Sequence, residues 1–179
     1  MFFLKKNKKG FTLIEMMMYI FIMLLITTMV ASFLPQLVRN NLNIQARGEV
    51  LGNTRSALEV IAQEIRHASN IYTPTSIFDS SPGQLSLEST NNVPVGETIT
   101  FIDFFVDGDR LYMKREGVVS EIIVSQKTKI DDLTFTHINS AGSYQAVRVS
   151  ITASYDSPST EIQEKSSVTL TTTASLRSY

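Results

Sequence analysis

Few of the 179 residues carry side chains in a setting that suggests chemistry, and Glu15 is the most conspicuous of them. It is a carboxylate near the start of an almost wholly apolar run that extends to Leu34. At the centre of a bilayer a carboxylate costs about 2.5–3.5 kcal/mol on insertion scales, so a charge in this place needs a partner or a role. The other candidates are weaker. His67 and His137 have no companion at metal-ligand spacing and read as surface or packing residues. Asp107-Gly108-Asp109 offers two carboxylates to a calcium ion that takes about six to eight oxygens, and a hairpin turn explains the same residues. Asp131-Asp132, ahead of a strand, reads as a solvated turn. No Gly-x-Ser-x-Gly, His-Glu-x-x-His or phosphate-loop pattern occurs. There is no cysteine, hence no thiolate nucleophile, thiolate metal site or disulfide framework. The residues support no catalytic constellation, no metal site and no cofactor.

The elements that must hold Glu15 come first in the chain. Lys5, Lys6, Lys8 and Lys9 precede the apolar run, and their charge predicts a cytoplasmic N-terminus with the remainder translocated. The run is long enough to span a bilayer as a helix, which takes about 20 residues. Five of the seven methionines lie between Met16 and Met29, and their soft side chains suit packing against irregular neighbours. Pro35 predicts a kink or local melting over 31–35, because proline removes a helical hydrogen bond and clashes with the preceding turn. Beyond it the pattern is amphipathic. Leu37, Ile44, Leu51, Leu58 and Ile65 recur every seven residues, with Ile61, Ala62 and Ala68 joining late. That stripe suits a helix laid against a sheet better than a free coiled coil. One helix over 11–69 is expected, about 85–90 Å long at 1.5 Å per residue, although Gly48 and Gly52 weaken its middle.

The remainder is β-rich. Residues 70–95 read as a loop-rich connection interrupted by a short strand over 84–88. Strands are expected over 98–106, 110–115, 118–124, 132–138, 144–155 and 165–177, with Asp107-Gly108 as a type I′ turn, Glu116-Gly117 as a second turn and 156–160 as an exposed loop. Strands that follow one long helix without βαβ alternation give an α+β layer of helix on antiparallel sheet. Net charge is −1 and the isoelectric point about 6.1, so no global field recruits nucleic acid. Lys114-Arg115 is too small a cationic stretch for it, since counterion release needs several phosphate contacts.

Three readings of the first helix compete: a plain signal anchor, a cleaved secretory signal peptide, and a processed assembly helix. Val30-Ala31-Ser32 favours the second. The length of the apolar run and Glu15 inside it oppose it. The third starts from Gly10-Phe11-Thr12-Leu13-Ile14-Glu15 behind the lysines, which resembles the processing site of type IV prepilins and type II secretion pseudopilins. The resemblance implies that a prepilin peptidase cuts after Gly10 and methylates the new amino terminus on Phe11. It implies that Glu15 neutralises the amino terminus of a neighbouring subunit. Glycine at the cut lets an extended backbone enter a tight cleft. The new ammonium and Glu15, four residues apart, are expected on one face of the helix.

The resemblance gives a pilin-like fold. Its parts are a cleaved leader at 1–10, a transmembrane assembly helix at 11–34, an amphipathic half at 35–69 and a β-rich head at 70–179. Residues 58–66, the hairpin over 98–115, Ile130-Asp131-Asp132-Leu133-Thr134-Phe135 and the ending Leu176-Arg177 are most similar to J-type minor pseudopilins and W-type minor pilins. In those relatives the protein is a low-copy, non-enzymatic subunit near the filament tip. Partners implied are the prepilin peptidase, other pilin or pseudopilin subunits and the membrane assembly platform. The location implied is the inner membrane, then an extracytoplasmic filament. A second function class stays open: an exported or tethered β-domain that binds a ligand or acts as an enzyme.

Overall fold

The computed structural model describes residues 10–91, 93–140, 144–156 and 166–177. Among these residues a single helix, α1, runs Leu13–His67, and the chain divides into two compact units, Met1–Asn41 and Leu42–Tyr179. In the first unit every described residue is exposed. The hydroxyls set into its apolar run bond to their own helix. Thr27 Oγ1 donates to the Met23 carbonyl at 2.7 Å, Thr28 to those of Leu24 and Leu25, and Ser32 to that of Met29. Such back-bonding satisfies a hydroxyl that lipid cannot. The helix continues through Pro35, so the melting expected over 31–35 is not observed. Only one N–H is lost there, and the bonds on either side hold the geometry.

In the second unit α1 buries Val50, Thr54, Ala57, Ile61 and Ile65, followed by Ala68 just past its end. The steps are 4, 3, 4, 4 and 3 residues, which average to the 3.6 of a straight helix. The heptad stripe expected from the sequence behaves differently. Leu58 and Ile65 are buried, but Leu37, Ile44 and Leu51 are 47%, 71% and 44% exposed. A seven-residue step drifts about 20° per repeat on an uncoiled helix, so the series rotates off the packed face. The small residues Thr54 and Ala57 are fully buried on this face.

Among the described residues eight antiparallel strands follow: β1 Asn70–Ile71, β2 Leu85–Ser89, β3 Thr100–Asp107, β4 Arg110–Arg115, β5 Glu121–Ile122, β6 Thr128–Ser140, β7 Tyr144–Tyr155 and β8 Ser167–Ser175. They form two sheets rather than the single one expected, in the orders β1-β2-β3-β4-β5 and β6-β7-β8. Each strand still pairs with its neighbour in sequence, so the meander holds within each sheet. The inner faces and α1 share one core that includes Ile61, Phe104, Leu111, Phe135 and Ile151, all fully buried. Arg110 ties the sheets together. Its guanidinium donates to the Ser125 and Thr128 carbonyls at 2.9 and 2.8 Å and pairs with Asp156 at 2.9 Å. Arg115 of β4 reaches Glu64 of α1 at 2.6 Å.

Two local expectations are corrected. Asp107 pairs with Arg110, which makes Gly108-Asp109 the two-residue loop. Gly108 has φ +60°, and Asp109 is not among the residues of positive φ. One positive φ, at the first loop position, is the type II′ pattern, not type I′. Asp131-Asp132 is not a turn before a strand but lies within β6, where the pairing register shifts between Ile130 and Asp132. Ile130, Leu133 and Phe135 are all buried. Strict alternation would turn Ile130 away from the other two, and one bulged residue, the exposed Asp131, restores the phase.

Candidate functional site

Gly10, Phe11 and Thr12 precede α1 and are not helical. Thr12 starts the helix: its Oγ1 accepts the Glu15 N–H at 3.3 Å, and its carbonyl accepts the Met16 N–H at 3.2 Å. A threonine N-cap with glutamate three residues on is the spacing of a capping box. Glu15 therefore stands in the first turn, where a carboxylate also meets the positive end of the helix dipole. Its side chain has no bonding partner among the described residues. Phe11 is 70% exposed, and its ring meets that of Tyr19 edge-on at 6.2 Å. Phe11 itself lies outside the helix, which the cap starts at Leu13.

Among the described residues, chain neighbours aside, no atom lies within 4 Å of where a Cβ on Gly10 would sit. The Gly10-Phe11 bond thus stands in an open, non-helical stretch two residues ahead of a capped helix. An extended, exposed segment fits a peptidase cleft, and a helical one does not. The four lysines lie outside the described residues. Thr12 caps this helix, a role that motif matching alone passes over. Its Thr-x-x-Glu spacing is the signal that marks it.

α1 is long and apolar enough to cross a membrane, with none of its most apolar window buried. A family model described as the prokaryotic N-terminal methylation motif matches residues 5–31. The chain carries a prepilin N-terminus. Its long first helix followed by antiparallel sheets is pilin-like in architecture. No curated protein and no solved structure gives a match. The motif implies processing by a prepilin peptidase, and with its apolar helix it fits single-pass anchoring in the inner membrane.

The other candidate residues of this chain stay apart. His67 is exposed in the last turn of α1. His137 stacks on Phe78 with ring centroids 5.4 Å apart, and its Nε2 is buried without a hydrogen-bond partner among the described residues. Asp109 is engaged by Lys129 at 2.8 Å, and that hydrogen bond holds the lysine above its ordinary range. Asp131 accepts a hydrogen bond from Ser154 at 3.0 Å. Among the described residues no group of three His, Asp or Glu side chains is placed to hold a metal.

Proposed function

We propose that this chain is a minor pilin or pseudopilin, a non-enzymatic subunit cut between Gly10 and Phe11, N-methylated on Phe11, and assembled through α1. The observation that carries the reading is Gly10-Phe11-Thr12-Leu13-Ile14-Glu15 between four lysines and an apolar helix, in the region matched by the methylation-motif model. The lysines keep residues 1–9 cytoplasmic and the head outside. Cleavage releases them. Glu15 then pairs with the amino terminus of a neighbouring subunit, and a buried pair of this kind specifies register more than it adds stability. The likeness of the hairpin and last strand to J-type and W-type proteins supports a low-copy subunit at the tip that starts assembly of a type IV pilus or a type II secretion pseudopilus.

Mass spectrometry of the chain co-expressed with a prepilin peptidase tests the reading. The expected product begins at N-methyl-Phe11. An intact Met1, or a cut near Phe33, would sink it. A Glu15→Leu variant should still insert into the membrane and be processed, while its incorporation into filaments falls. Normal incorporation would remove the role assigned to Glu15.

A further inference from the structure

A sheet edge presents unpaired backbone donors and acceptors, and folded proteins shield it with short strands, charges, prolines, bulges or a covering segment. The β-rich unit shields three of its four edges. β1 and β5 are two residues each. Along the free side of β6, the Asp79 and Gly83 N–H groups donate to the Phe135 and Leu133 carbonyls, both at 2.8 Å, and the Ile130 N–H donates to Asp109 at 3.0 Å. β8 is the exception. It is outermost in its sheet, nine residues long, and holds neither a charge nor a proline. Among the described residues, no backbone hydrogen bond reaches its outer side.

A groove of about 820 Å³ runs along that side. It touches Leu170, Thr171 and Thr172, consecutive residues whose side chains point to alternate faces. What they share is the strand edge. The opposite wall is one face of α1, made by Leu51, Arg55, Leu58, Ala62 and Arg66 at helical spacing. From Leu51 to Arg66 the wall is about 22 Å long at 1.5 Å per residue, room for about six extended residues at 3.4 Å each. Leu51 is 44% exposed there with no apolar cover. Arg55 is engaged by Glu59 at 3.1 Å, whereas Arg66 has no ion-pair or hydrogen-bond partner among the described residues. Among the described residues the rim is therefore net positive.

We infer that this edge takes an extended, acidic segment of a partner polypeptide as the fourth strand of the β6-β7-β8 sheet. The partner's backbone pairs with β8. Alternate apolar side chains cover Leu51 and Leu58, and a carboxylate meets Arg66. Strand addition of this kind draws affinity from main-chain bonds and specificity from the alternating side chains. The inference stands on the head alone and does not depend on processing at Gly10.

The test uses the full chain in detergent micelles and a capped synthetic peptide, Glu-Val-Thr-Val-Glu-Val-Thr. Two control peptides replace Glu by Lys or carry N-methyl groups at every backbone amide. The acidic peptide should slow amide exchange within 167–175 and bind about tenfold more tightly than the lysine version. N-methylation should abolish both effects, and Arg66→Glu should reverse the charge preference. Four outcomes would each overturn the inference: exchange in 167–175 unchanged by the acidic peptide, equal protection by the N-methylated peptide, a preference indifferent to Arg66→Glu, or protection that appears without peptide as protein concentration rises. The last would mean that the edge pairs with a second copy.

Discussion

Thr12 separates two conformations of one short stretch. Ahead of it the backbone is open, and after it the helix is formed. Its hydroxyl supplies the Glu15 amide with an acceptor that the helix itself cannot provide. Replacing it by valine keeps the shape and removes that acceptor, at about 1 kcal/mol. The expected result is faster amide exchange at Leu13, Ile14 and Glu15 in micelles, with Thr12→Ser close to wild type. Gly83 is a different constraint. A Cβ there would lie 3.1 Å from the Leu133 carbonyl oxygen, the Phe135 ring and the Ser80 carbonyl oxygen. Two of those three atoms are backbone, so Gly83→Ala should destabilise the head by about 1–3 kcal/mol in denaturant unfolding. The Lys129-Asp109 pair carries a pH signature. Because the lysine is raised above 10.5, its contribution is complete at neutral pH and is lost only as pH climbs through the raised value. The stability difference between wild type and Asp109→Asn should therefore be constant from neutrality upward and shrink above pH 10.5. That pair is exposed, and the difference is correspondingly small.

At the scale of elements, what the sequence disclosed depended on how many residues voted for each element. β7 runs Tyr144–Tyr155 as its long apolar-polar alternation indicated. β5 shrinks to Glu121–Ile122 although 118–124 is rich in valine and isoleucine. Propensity there is not backed by a buried face, and Val118 and Val119 are 54% and 85% exposed. β1 has two residues and left no pattern to read. The packed stripe of α1 is hard to read because leucines and isoleucines dominate the pattern, while Ala57 and Thr54, which pack the interface, do not stand out. The break into two sheets was invisible for another reason: it depends on long-range contacts such as the Arg110 fork. That fork cannot be replaced by a lysine, which lacks the geometry to serve two carbonyls and a carboxylate at once. Arg110→Lys should cost about 1.5–3 kcal/mol, read as a lower denaturation midpoint at unchanged slope.

For the molecule as a whole, the two units draw on different sources of stability. Residues 42–177 bury a continuous core, whereas the described residues before Asn41 bury nothing of their own. Ile61→Ala should lower the unfolding free energy of the head by about 2–5 kcal/mol, and Leu24→Ala should leave it unchanged in micelles. The contrast between the two measurements tests the division. The N-terminal motif is legible in the amino-acid sequence alone, because residue types at fixed spacing carry it. The shielding of one sheet edge and the bareness of another is not, since it depends on where 79–83 and α1 come to lie.

The uniformly exposed helix of the first unit has a thermodynamic consequence. Lipid chains and the apolar faces of neighbouring helices are nearly equivalent solvents for Leu, Ile and Met, so moving this segment from one to the other changes its hydrophobic free energy very little. The large term that fixes it out of water is silent about which non-aqueous surroundings it occupies. That choice falls to small terms: one carboxylate, one amino terminus and the fit of methionine side chains against their neighbours. A transfer governed by small differences can run in either direction, which is what the proposed assembly into a filament, and return from it to the membrane, would require.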